Sequence, residues 1–99
     1  MSPVATAIGS GKFIATTSYD YPSSTPGLLT VYWGTTGVGT PDSNPGGWSL
    51  DGTDNSWFDN GTAWEDSYSP NDANPGNYCI CKFAIGAGFS GWSNAVLLT

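Results

Sequence analysis

Eight carboxylates face only two lysines in this chain, and six of the eight fall between Asp51 and Asp72. The run Asp51-Gly52-Thr53-Asp54-Asn55, with Asp59, Glu65, Asp66 and Asp72 after it, offers the hard oxygen ligands that calcium prefers. The spacing does not match the twelve-residue calcium loop, and Asp and Asn are also ordinary turn formers. Solvated turns are therefore the main reading, with no cofactor expected and calcium as the alternative. Paired carboxylates beside tryptophans also suit glycoside hydrolysis, but nothing here fixes two carboxyls at a defined separation. A small glycosidase remains a distant alternative.

Other catalytic chemistry lacks its parts. There is no histidine, so a serine or cysteine nucleophile has no imidazole base, and zinc has too few ligands. Cys79 and Cys81 stand two apart, which on an extended strand holds their Cα atoms near the disulfide limit, about 6.5–7 Å. They read as free, buried, apolar side chains. The chain is expected not to be an enzyme. With Lys12 and Lys82 its only cations and a net charge of −6, nucleic acid and anionic membrane surfaces are poor partners. No apolar run approaches the roughly 20 residues of a membrane span, so no membrane insertion is expected.

The aromatic residues are the strongest binding signal. Trp48, Trp57, Trp64, Trp92, Tyr19, Tyr21, Tyr32 and Tyr68 either make an aromatic-rich core with Tyr hydroxyls at its rim or leave some rings to line a surface, since they are too many for one small core. Flat rings beside Asp and Asn suit a protein partner or a sugar. Trp48, Trp57, Trp64, Trp92 and Tyr68 are taken as the candidate surface-binding aromatics.

The elements that position these residues are strands. Gly, Pro and Asn punctuate the chain every eight to twelve residues, and no stretch has helical periodicity with caps. Residues 1–11 are small and Gly-rich, an N-terminal arm or a frayed first strand, with the main domain at 12–99. Residues 12–19 form the first clear strand, and 20–27 a Pro/Ser connection. In 28–33, Leu29, Val31 and Trp33 share an apolar face. Residues 34–47 form a long loop. Trp48 and Leu50 are the expected core residues of a short strand. Asn60-Gly61 fits a type I′ hairpin turn, which would set Trp57 opposite Trp64. Tyr68 is expected to begin another strand. The stretch from Tyr78 onward pairs with a last apolar run at 95–98 across a Gly-Ala-Gly turn.

Three segments resemble the fibronectin type III family of immunoglobulin-like sandwiches. Leu29-Thr30-Val31-Tyr32-Trp33 resembles its second strand. Pro75-Gly76-Asn77-Tyr78 resembles the turn into its sixth strand. Ala84, Gly88, Ser90, Trp92-Ser93 and Val96 resemble its final hairpin. The resemblance implies an all-β, seven-stranded antiparallel immunoglobulin-like sandwich. The family's inward set would be Tyr78, Ile80, Lys82 and Ala84. Burying Lys82 unpaired is costly, so Cys79, Cys81, Phe83 and Ile85 are expected to face the core instead.

The low charge and the Gly/Thr/Asn surface resemble small structural proteins of bacteriophage particles. The expected function is a non-catalytic structural or adhesion module. A virion (capsid or tail) decoration or assembly protein is the foremost form, acting on virion subunits or as a homo-oligomer. The alternative is a carbohydrate-binding module. The N-terminus lacks the basic start and long apolar core of a secretory signal, so assembly inside a cell is expected, with the virion surface or an extracellular setting as its place of work.

Overall fold

Alternation of apolar and polar residues at period two, broken by glycine-bearing turns, builds two antiparallel sheets. In the computed structural model the described residues are 2–18 and 25–99, so Tyr19, Tyr21 and most of the 20–27 connection lie outside them. Nine strands occur among the described residues: β1 Val4–Gly9, β2 Lys12–Ser18, β3 Leu29–Gly34, β4 Ser49–Asp54, β5 Phe58–Asp59, β6 Ala63–Tyr68, β7 Tyr78–Ile85, β8 Gly88–Phe89 and β9 Val96–Leu97. The only helical piece among them is a 3-10 turn at Pro45–Gly47. One sheet runs β1-β2-β6-β5, the other β4-β3-β7-β8, with β9 also on β7.

The core lies between the sheets. Ala5, Phe13, Ala15 and Tyr68 face it from one side, and Leu29, Val31, Cys79, Cys81 and Phe83 from the other, with Val96 and Leu98 closing one end. Phe13 and Phe83 are fully buried, and each contributes roughly 2–3 kcal/mol through area burial. Leu29, Val31 and Trp33 point inward as their alternation requires. So do Cys79, Cys81 and Phe83, with Ile85 packed at the margin, which leaves Lys82 on the outer face.

Several expectations need correction. Of the two readings of residues 1–11, the strand is the one observed: Val4–Gly9 pair with β2, Ala5 is in the core, and its N–H and C=O bond the Asn94 side-chain amide. The type I′ condition is met at Ser10-Gly11, where both residues have positive φ (56° and 72°) between the paired Gly9 and Lys12. It is not met at Asn60-Gly61, because only Gly61 has positive φ. There the Asn60 carboxamide oxygen accepts from the Thr62 N–H at 2.9 Å and the Ala63 N–H at 2.8 Å. That cap makes a longer turn, so Asp59 pairs Trp64 and Phe58 pairs Glu65, and Trp57 does not face Trp64.

Leu50 is also misplaced by the sequence reading. A bulge in the β3–β4 pairing sets Val31 against Gly52 but Tyr32 against Leu50. The extra residue, Asp51, turns inward and Leu50 turns out, 56% exposed. Tyr68 ends β6 instead of opening a strand.

Among the described residues β8 and β9 are separate short strands that touch only the two ends of β7. Between them, serine hydroxyls complete the ladder. Ser90 Oγ accepts from the Phe83 N–H and Ser93 Oγ from the Cys81 N–H, each at 3.0 Å. The Ser90 and Ser93 N–H groups donate back to the Phe83 and Cys81 carbonyls.

Candidate functional site

The outer face of the five-stranded sheet carries three aromatic residues, Tyr32, Trp92 and Phe89, side by side. Tyr32 on β3 pairs with Ile80 on β7, and both point away from the core. Trp92 crosses over from the segment between β8 and β9, its ring 5.5 Å from Tyr32 and edge-on at 86°. Its indole N–H donates to Asp42 Oδ2 at 2.7 Å, which ties the 35–48 loop to this face. Ile80 is only 2% exposed although it lies outside the main core, so this face carries a small apolar cluster of its own.

Lys82 completes the patch. Its Nζ lies 4.3 Å from the Phe89 ring centroid and 4.7 Å from that of Trp92. A cation held over two rings gains on the order of 1 kcal/mol and is fixed in position. Phe89 is 63% exposed, and Leu50 is also open. Val38, on the 35–48 loop, is the most exposed large apolar residue among those described, at 65%. Apolar side chains grouped around a positioned charge form a surface that can be desolvated by a partner at little conformational cost.

The loop beside this patch is well held. Trp48 is buried, and its indole N–H donates to the Val38 carbonyl at 3.1 Å. Asn44 Nδ2 donates to the same carbonyl, and Thr40 and Ser43 bond one another through hydroxyl and backbone groups. The long loop read from sequence is thus an internally bonded unit.

The five candidate aromatics divide. Trp92 stands on the outer patch. Trp48 and Tyr68 are buried and offer no face to a ligand. Trp57 packs edge-on against Phe83 at 5.5 Å, and its indole N–H donates to the Gly27 carbonyl at 2.8 Å. Trp64 lies half-buried on the inward side of β6. Sequence reasoning missed Phe89, Leu50 and Lys82 as members of the patch. The signal that could have found them is the outward set of β7, which carries Lys82 between Ile80 and Ala84.

The carboxylates do not converge on one ligand. Among the described residues, no group of three or more Asp, Glu, Cys or His could hold a metal ion. Asp51 instead anchors the chain after β6. Its carboxylate accepts from Tyr68 Oη at 2.7 Å and from the N–H groups of Asn71, Asp72 and Ala73 at 2.8, 2.8 and 3.2 Å. Burial is the largest single influence on this carboxyl and would raise its pKa. The four donors together outweigh it and hold the group below the usual carboxylate range. Burial, then the hydrogen bond to Asp51 and the Asp51 charge, push the Tyr68 phenol strongly upward.

Both cysteines are free and buried. Burial pushes the Cys79 thiol up to about 12 and Cys81 up to about 11, so neither presents a thiolate for chemistry.

No family model matches the chain, and no curated protein and no solved structure matches it.

Proposed function

We propose that this chain is a non-catalytic immunoglobulin-like module that binds another protein through the outer face of its β4-β3-β7-β8 sheet. The observation that carries the reading is the ordered patch of Tyr32, Trp92 and Phe89 around Lys82, with the exposed Leu50 opposite Tyr32 on β4. Interface centres favour aromatic anchors fixed before binding, because little side-chain entropy is then lost. The strand order β1-β2-β6-β5 against β4-β3-β7-β8 supports an immunoglobulin-type arrangement, with β4 added beside the three strands of the second sheet.

The setting we infer is a virion, as a decoration or assembly subunit. Support comes from the low charge and the Gly, Thr and Asn-rich surface. The carbohydrate reading loses ground because Trp48 is buried and the Trp57 indole N–H is bonded internally. The glycosidase reading gains nothing from Asp66, which is 1% exposed and beyond reach of a sugar ring.

Replacing Phe89 and Leu50 by Ser removes exposed apolar area without touching the core. The double variant should keep its unfolding midpoint and lose co-sedimentation with assembled particles by at least about tenfold, as expected for loss of more than about 1.4 kcal/mol. Undiminished co-sedimentation would rule this face out.

A further inference from the structure

Asp66 is the most unusual side chain in the molecule. It points inward from β6 with both carboxylate oxygens buried and without a full hydrogen bond among the described groups, the Ser56 N–H being the one donor that favours its charge. Buried carboxylates without donors are costly, on the order of several kcal/mol, unless the charge is removed. Asp54, at the end of β4 in the opposite sheet, lines one cleft with Ser56 and with Ser67 and Tyr68, which follow Asp66 on β6, and its carboxyl is the group that meets Asp66. Two ionised carboxylates repel. One proton placed between them supplies the missing donor.

We propose that Asp54 and Asp66 form a proton-operated latch between the two sheets. A shared proton holds the end of β4 against β6, and loss of that proton loosens the 55–57 crossover that leads from β4 to β5. This device is independent of the binding face, which lies on the other side of the β4-β3-β7-β8 sheet.

The surroundings favour the proton over any cation of the chain. From β4 comes Asp54, and from the crossover the Ser56 N–H, which pulls Asp66 the other way. From β7 comes the Cys81 thiol, kept neutral by burial. On β2, Ala15 stands opposite Asp66, and Thr17 faces inward with its own buried hydroxyl unpaired. Trp64 and Tyr68 flank it on β6, and Tyr68 is committed to Asp51. On β5, Asp59 is exposed and accepts from the Gly61 N–H. Lys12 is exposed, and Lys82 lies over its rings on the outer face.

Burial, then Asp54, raise the Asp66 carboxyl from 3.8 to about 7. Unfolded, the group ionises near the lower value. Between the two values the folded chain holds a proton that the unfolded chain has released, so stability falls as pH rises across that span and levels off above about 7.

Thermal unfolding from about pH 4 to about pH 8 tests this, with the indole N–H exchange of Trp57 followed by NMR as a local reading of the crossover. The wild-type Tm should fall by on the order of 5–10 °C across the window, and Trp57 exchange should quicken. Asp66→Asn should flatten both, whereas Asp72→Asn, which removes an exposed charge, should follow wild type. If Asp66→Asn does not fold, Asp54→Asn serves, and it should shrink the fall by removing the repulsion. Parallel pH curves for wild type and both latch variants would overturn the proposal. So would a wild-type Tm near pH 8 that millimolar calcium chloride restores and a chelator removes, since the pair would then seat a cation.

Discussion

At the residue scale, the decisive groups are aspartates doing opposite things. Asp51 keeps its charge because four donors meet it, and Asp66 is driven toward its neutral form by burial and then by Asp54, with only the Ser56 N–H opposing them. Asp51→Ala should therefore cost about 2–4 kcal/mol, since it strands the Asn71, Asp72 and Ala73 N–H groups together with the Tyr68 hydroxyl. Tyr68→Phe removes one donor only and should cost about 1 kcal/mol. Urea unfolding of both variants near neutral pH checks the order, and equal losses would contradict the anchor. The pH signs follow from the same two residues. The Asp51 carboxyl is held low, so its contribution is present above about pH 4 and lost as pH falls through its folded value. The Asp66 contribution is lost as pH rises from about 4 to about 7. Together they place the stability maximum on the acid side of neutral.

At the element scale, the interrupted last strand is the feature to test. Ser90 and Ser93 each supply a hydroxyl acceptor where a paired strand would supply a carbonyl. Ser93→Ala leaves the buried Cys81 N–H without a partner, at a cost of about 1–3 kcal/mol. Native-state hydrogen exchange should show the Cys81 amide losing protection while Thr30 and Val31 on β3 keep theirs. Unchanged protection at Cys81 would mean the β7 edge does not depend on that hydroxyl. The β7 register itself was readable in advance. A lysine between Cys81 and Phe83 decides which face is buried, and period-two alternation carries that choice along the whole strand. The β4 register was not readable, because a bulge inserts Asp51 and reverses Leu50, and nothing local in Ser49-Leu50-Asp51 announces it. The Asn60-Gly61 turn misled for a related reason. A type I′ turn and an Asn side-chain cap draw on the same residue pair, and only the φ of Asn60 separates them. The true type I′ turn, Ser10-Gly11, lay in a glycine-rich stretch that also fitted an arm.

At the scale of the whole molecule, the all-β architecture and the inward face of β3 were legible because they rest on alternation summed over many residues. The candidate site was legible only in part. Trp92 stands in the outer patch while Trp48 and Tyr68 are buried, and aromatic identity alone could not sort them. Sorting required knowing that Val38 offers Trp48 a carbonyl and that Asp51 turns in to meet Tyr68, both consequences of tertiary folding. What unites the molecule is a division of labour between two surfaces of one sheet. The inner surface of β3 and β7 builds one side of the core, and the outer surface holds an aromatic patch around one of only two lysines.

Hydroxyl-radical footprinting, comparing the purified chain with the chain bound to the virion particle we propose as its partner, tests the binding role of that outer surface most directly. The account predicts that Tyr32, Phe89 and Trp92 are oxidised in the free chain and protected in the assembly by at least several-fold. Exposed side chains on the opposite sheet, Val4, Ile8 and Phe58, should be less protected. Protection of Val4, Ile8 and Phe58, with Phe89 and Trp92 left as reactive as in the free chain, would contradict it.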